Sequence, residues 1–251
     1  MTVTLKTAVQ IPKARLAGHL AAQVLHWITP HVKAGVTTDY LDQLCYHYIV
    51  NELKVIPANI GYHGYQKTAC ISVNHVVCHG IPDNYILQDG DMLNIDIAII
   101  KDGWYGDTSR MYFVGTPNPT AKHLADTCLE AMLSAIDIVR PGTTLGDIGH
   151  TIETIAHREG FSVVEEYCGH GIGQTYHEAP QVLHYGTPKR GLRLQEGMIF
   201  TIEPMINAGK KYTSTLKDGW TVVTQDKSLS AQWEHMVLVT CDGYEVLTPW
   251  P

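Results

Sequence analysis

The chain has 251 residues, 45 % hydrophobic and 17 % charged, so it can bury a core without covalent staples and carries no disordered tract. Its 18 basic and 25 acidic side chains give a net charge of −7, which argues against nucleic acid or an anionic membrane as principal partner. Cys45, Cys70, Cys78, Cys128, Cys168 and Cys241 form no C-x-x-C pair, and MTVTLKTAVQ has no apolar signal core. No disulfide framework is therefore expected, no apolar run approaches the roughly 20 residues of a membrane span, and a reducing cytoplasm is the simplest compartment.

Leu16, Leu20, Val24, Leu25 and Ile28 recur at helical spacing and predict an amphipathic helix over about Ile11–Val32, with Pro12 in its first turn and Pro30 near its end. A second helix follows in VTTDYLDQLCYHYIVNEL, with Thr37 as N-cap and Leu41, Leu44, Tyr48 and Ile49 on one face. The glycine-rich ANIGYHGYQKTAC leads into a short strand, Cys70–Val73. MLNIDIAII and WYGDTSRMYFV read as strands joined by a tight hairpin at Lys101-Asp102-Gly103. Helices are expected over Thr120–Val139 and Thr144–Glu159, the latter with capping-box spacing between Thr144 and Asp147 and a buried face of Ile148, Ile152 and Ile155. Later strands are expected at Met198–Ile206, Trp220–Thr224, His235–Thr240 and Tyr244–Leu247. A weak repeat relates VKAGVT, around Gly35, to VRPGTT, around Gly142, an offset of 107 residues. Two similar halves imply a curved composite sheet covered by helices, with a site at the seam.

Acids inside apolar strands need a reason. Asp96 stands in NIDIA, and the hairpin brings Asp107 near it; two close carboxylates repel unless a cation or a proton is shared. Glu203 in FTIEP and Glu234 in WEHMVLV repeat the anomaly, and His170 lies between glycines in CGHGIG. Four carboxylates and one imidazole balance two divalent ions, and mixed oxygen and nitrogen ligation suits Mn, Fe, Co or Zn. Such a pair, about 3.5–4 Å apart, would activate a shared water and polarise a carbonyl, so hydrolysis is the natural reaction. His79 in VCHGIP and His177 in QTYHE are candidates for the proton carrier and the oxyanion donor.

In GYHGY, CHGIPD, LNIDI, GDTSRMY, CGHGIGQTYHEAP, TIEPMINAG, KDGW and SAQWEH the chain resembles the type I methionine aminopeptidases along essentially its whole length. The resemblance implies an α/β (α+β) "pita-bread" fold, with pseudo-twofold duplicated halves and a curved, mainly antiparallel sheet covered by helices. One catalytic domain would cover 1–251, its halves roughly 10–115 and 118–251. The implied activity is removal of the initiator methionine from nascent polypeptides by a dinuclear metal site. Its ligands fall on Asp96, Asp107, His170, Glu203 and Glu234, with Co, Mn, Fe or Zn as the ion. His79 falls beside the leaving amine, His177 at the substrate carbonyl, and Glu203 also shuttles the water proton. A methionine pocket would draw on Tyr62, His63, Tyr65, Cys70, Tyr176 and Trp220, with Asn59 at a more polar rim, and a monovalent cation would sit near Asn74 and Ser230. A cytoplasmic monomer that meets nascent chains at the ribosome, with no nucleic-acid or membrane role, completes the implication.

Asn59, where relatives often have cysteine, His75, where an acid is usual, and Pro12, which interrupts the first helix of the pattern, are departures. A proline-specific peptidase of the same fold and a non-catalytic binding protein that kept the fold are the competing readings. Retention of all five ligands weighs against the second.

Overall fold

The computed structural model describes residues 3–250. In chain order the elements are α1 (Ile11–Ile28), α2 (Thr38–His47), β1 (Ile56–Pro57), β2 (Ala69–Val73), β3 (Val76–Cys78), β4 (Met92–Lys101) and β5 (Trp104–Phe113). The second half adds α3 (Pro119–Asp137), α4 (Leu145–Arg158), β6 (Ser162–Val163), β7 (Gly169–Gly171), β8 (Glu178–Val182), β9 (Ile199–Ile202) and β10 (Met205–Asn207). The tail is β11 (Thr213–Thr215), β12 (Val222–Thr224), β13 (Ser230–Gln232), β14 (His235–Val239) and β15 (Tyr244–Val246). Every strand pairing among the described residues is antiparallel.

The first helix is shorter than its spacing suggests: α1 ends at Ile28 and Thr29–His31 tighten into a 3₁₀ turn around Pro30. Its buried stripe is Ala14, Ala17, Ala21, Val24, Leu25 and Ile28, whereas Leu16 is 45 % exposed. Close approach explains this. A Cβ on Gly106 of β5 would lie 2.2 Å from the Ala17 carbonyl oxygen, and one on Gly18 only 2.4 Å from that of Leu247, so the inner face of the helix around Ala17 and Gly18 takes small residues, and the larger Val24, Leu25 and Ile28 are buried further along. Pro12 lies in the first turn, where no intrahelical N–H is missed, and so does not interrupt the helix. Thr37 caps α2 by accepting from the Tyr40 N–H, and the expected continuation to Leu53 winds through a π turn, Tyr48–Glu52. Thr144 and Asp147 form a full capping box on α4.

β4 and β5 make a ten-residue hairpin whose two turn residues, Asp102 and Gly103, both have positive φ (51° and 78°), the twist-matching type of turn. β1 and β2 lie end to end along the other edge of β4. A five-stranded sheet runs β15-β14-β9-β7-β8. The two sheets meet where the Glu234 N–H donates to the Ser109 carbonyl (3.2 Å) and the Thr108 hydroxyl to that of Glu234 (2.7 Å). One buried cluster joins α1 and α2 to β4 and β5, and a second joins α3 and α4 to β9 and β14.

The 107-residue offset reappears in backbone hydrogen bonds. Gly35 donates to Leu87 (2.9 Å) and Leu87 to Val36 (2.8 Å), as Gly142 donates to Leu194 (3.0 Å) and Leu194 to Thr143 (2.8 Å). The expected long strand Met198–Ile206 is broken at Glu203-Pro204 into β9 and β10, which belong to different sheets. Proline cannot continue the ladder, and the break leaves Glu203 at a strand end.

The segment preceding α1 is anchored by Lys6, whose N–H donates to the Gly197 carbonyl (2.7 Å) and whose ammonium pairs with Glu178; their side chains are 2 % and 19 % exposed. Lys6→Met leaves the Glu178 carboxylate largely dry and unpaired, so it should cost about 3 kcal/mol, and adding Glu178→Leu should recover most of the loss. Urea unfolding midpoints at unchanged m-value measure both. Equal stability of Lys6→Met and wild type would show that the pair contributes nothing.

Candidate metal centre and active site

Strand register builds the centre. Asp96 on β4 stands between Cys70 on β2 and Ser109 on β5, so its partner across the hairpin is not Asp107. Asp107 opposes Ala98, two residues along and on the same face as Asp96, which makes the two acids diagonal neighbours. β9 and β14 pair His235 with Ile202, and continuing that register sets Glu203 opposite Glu234. His170, in the short β7, has its N–H held by the Thr201 hydroxyl at 3.0 Å.

Ligand atoms of Asp107, His170 and Glu234 lie within 4.8 Å of one another. His170 Nε2 is 3.4 Å from Asp107 Oδ2 and 3.5 Å from Glu203 Oε1. Its Nδ1 is 3.0 Å from the Gly171 carbonyl oxygen, which fixes the ring and turns Nε2 to the acids. Glu203 accepts from the Thr201 hydroxyl on Oε1 (2.6 Å) and from the Gln232 amide on Oε2 (3.4 Å). Asp96 Oδ1 is buried with no hydrogen-bond partner.

This crowding has an electrostatic signature. Burial first, then the charges of Asp107 and Glu203, push the Asp96 carboxyl well above its ordinary range; Glu234 is raised by burial, then by Asp107, Glu203 and Asp96. Glu203 is pushed up to about 7 by burial, with His170 and the Thr201 hydroxyl pulling it back. Burial lowers His170, but its hydrogen bond to Asp107 and the charge of Glu203 outweigh that and raise it. Clustered buried acids and an orphaned carboxylate oxygen are what a divalent cation would satisfy, and the donor set fits one.

Asp96, Asp107, His170, Glu203 and Glu234, together with His79, His177, Asn59, Tyr62, His63, Tyr65, Cys70, Tyr176 and Trp220, all line one cavity of about 470 Å³. Asn74 and Ser230 do not; they are joined backbone to backbone, Ser230 N–H to Asn74 carbonyl (2.9 Å), and Asn74 lines a neighbouring cavity. Asn59 is not a rim residue. It is buried, donating to the Thr68 carbonyl (3.0 Å) and accepting from the Tyr176 hydroxyl (2.8 Å), and so braces the pocket wall. His75 is exposed and lines the neighbouring cavity with Asn74.

Tyr65 is buried, its hydroxyl donating to Ala69 and Gly80 carbonyls, and its ring meets Trp220 edge-on at 4.9 Å. His79 follows β3 with φ of +55° and packs edge-on against Tyr167 and Trp220; burial lowers its pKa, so it is neutral at pH 7. His177 lies 4.1 Å from the His170 ring, centroid to centroid, and its Nδ1 is 2.7 Å from the Tyr62 hydroxyl. Its pKa is lowered by partial burial, then by His170, His79 and His63. Thr201, Gln232, Tyr105, which stacks on Tyr176 at 5.2 Å, and Tyr167 escaped the sequence reading.

A buried acid and imidazole cage opening into an aromatic cavity marks a metal-dependent hydrolase, and the profile of Metallopeptidase family M24 matches residues 12–241. The chain is 54 % identical over 249 residues to the methionine aminopeptidase of Escherichia coli (strain K12), covering 99 % of this chain and 94 % of that protein. The crystal structure of methionine aminopeptidase from Rickettsia prowazekii superposes with a TM-score of 0.97 at 51 % identity, covering 99 % of this chain and 100 % of that one. The chain therefore belongs to family M24, and within it to the methionine aminopeptidases, with their pita-bread fold. Prolidase from Pyrococcus horikoshii shares the fold alone, at a TM-score of 0.76 and 21 % identity, with 98 % of this chain spanning 64 % of that one.

Proposed function

We propose that the protein removes the N-terminal methionine from peptides, and that two divalent ions (Co, Mn, Fe or Zn) are held by Asp96, Asp107, His170, Glu203 and Glu234. Near-complete alignment at 54 % identity with a methionine aminopeptidase carries this reading. Divalent ions at such a site acidify a bound water and polarise the scissile carbonyl. Glu203, its two oxygens oriented by Thr201 and Gln232, takes the proton of the attacking water. His177 Nδ1 lies 2.7 Å from the Tyr62 hydroxyl; in the tautomer in which that hydroxyl donates, the ring carries its proton on Nε2 and donates it to the substrate carbonyl as it becomes an oxyanion. His79, neutral and firmly packed, handles the proton at the leaving amine.

The methionine side chain lies among Tyr62, Tyr65, Cys70, Tyr176 and Trp220, with His63 alongside and Asn59 holding Tyr176. Ring faces and edges suit a thioether, and an unbranched chain suits a narrow slot. A monovalent cation beside Asn74 and Ser230 belongs to the same reading, as does one catalytic domain with halves 10–115 and 118–251. We place the enzyme in the cytoplasm as a monomer meeting chains at the ribosome. All six cysteines are free, and no helix among the described residues is long and apolar enough to cross a membrane.

The test is hydrolysis of Met-Gly-Met-Met against an X-Pro peptide after loading with each metal, with metal content measured on the same samples. Methionine release that tracks metal content is expected. Turnover of only the X-Pro peptide would move the protein to the proline-specific branch, and binding of metal with no turnover would make it a non-catalytic relative.

A further inference from the structure

We infer that the catalytic cavity continues past its histidines into a second one, which receives the uncharged third and fourth residues of the substrate; this rests on the aminopeptidase reading. His170 and His177 line both cavities, and the second, about 630 Å³, is walled by Val3, Pro180 and Leu192, with Cys168 and Gln181 between them. With the first residue enclosed among the aromatic rings, the rest of the chain leaves past these two histidines. An extended chain advances about 3.3 Å per residue, so the third and fourth side chains fall roughly 7–10 Å beyond the first.

The wall also offers backbone. β8 is the outer strand of its sheet, paired among the described residues only with β7, which leaves its other side without a strand partner there for an extended peptide. Its chemistry selects against charge. Apart from the two histidines and Cys168, the one acidic or basic side chain of the wall is Glu178, and it is already paired with Lys6. An Asp or Lys in the third position would lose hydration there without gaining a partner.

The experiment compares kcat/KM of the metal-loaded protein for Met-Ala, Met-Ala-Leu-Ser, Met-Ala-Asp-Ser and Met-Ala-Lys-Ser. Wild type should favour Leu over Asp or Lys by at least about fivefold. Leu192→Glu should reverse the order of Lys and Leu, while Leu183→Glu, equally exposed on the neighbouring stretch but outside the cavity, should preserve it. Wild-type preference in Leu192→Glu, or no preference in wild type, overturns the inference. Failure to cleave Met-Ala at all overturns the aminopeptidase reading instead.

A second readout needs neither metal nor turnover. Saturating Ala-Leu-Ser-Ser-amide should slow iodoacetamide alkylation of half-buried Cys168 but not of exposed Cys241, measured by peptide mass. Equal labelling of Cys168 with and without the peptide overturns the inference.

Discussion

Replacing His79 by alanine should lower kcat by about 10²–10⁴-fold and leave metal content unchanged, whereas Glu203→Ala should lower both. The difference follows from where each side chain is anchored. Glu203 lies at the break between β9 and β10, with one oxygen 3.5 Å from His170 Nε2, so it can serve the ions and the proton together. His79 belongs to the wall formed by Tyr167 and Trp220, and its nearest ring contacts are aromatic. Glu203→Gln separates the two roles of the acid. It keeps an oxygen that can accept from Thr201, so the fold around it persists, but an amide cannot take a proton from water. Elemental analysis of dialysed protein beside single-turnover kinetics reads both quantities. Metal loss in His79→Ala at the level of Glu203→Ala would remove His79 from its catalytic role.

Much of the centre was legible because strands have a period of two and punish buried charge. Asp96 and Glu203 stand out as acids in apolar runs, and the offset between Gly35 and Gly142 reaches further than that motif. Carried on, it superposes Leu87-Gln88 on Leu194-Gln195, Gly90 on Gly197 and Asp96 on Glu203. Thr201 could have been found the same way, since it shares the face of Glu203 two residues before it and is wholly buried.

Other features were not legible, each for a physical reason. Asn59 gains its meaning from Thr68 and Tyr176, the latter 117 residues away, and alone it looks like a polar rim residue. Leu16 fits the apolar spacing, but where the helix is pressed closest, around Ala17 and Gly18, alanine and glycine fill the inner face and Leu16 points outward, while Leu25, further along, is buried. An ammonium near the start of a chain normally belongs in water, so nothing local marks Lys6 for burial. The hairpin register, with Asp96 beside Ser109 and not Asp107, depended on a two-residue turn that places Lys101 opposite Trp104.

The same acids predict how the metal-free protein responds to pH. Asp96, Glu203 and Glu234 are all raised in the folded chain, so between their unfolded and folded pKa values the native state binds more protons than the unfolded one. Their contribution is therefore fully present below about pH 4, the unfolded carboxylate range, and is lost as pH rises through the folded values. For Glu203 that window runs from the ordinary carboxylate range up to about 7. Chelator-stripped protein should accordingly melt higher at pH 5 than at pH 8, the reverse of a protein whose carboxylates are satisfied by ion pairs. Divalent metal at a thousandfold excess over its Kd restores about 4 kcal/mol, and because its ligands must be deprotonated it does so more strongly at pH 8. Loading should therefore flatten or invert the pH dependence. Calorimetric scans of stripped and loaded protein at both pH values test this, and a stripped protein that melts higher at pH 8 would mean that Asp96, Glu203 and Glu234 do not outweigh the buried His177, His184 and His235, whose lowered pKa values favour the folded chain at higher pH.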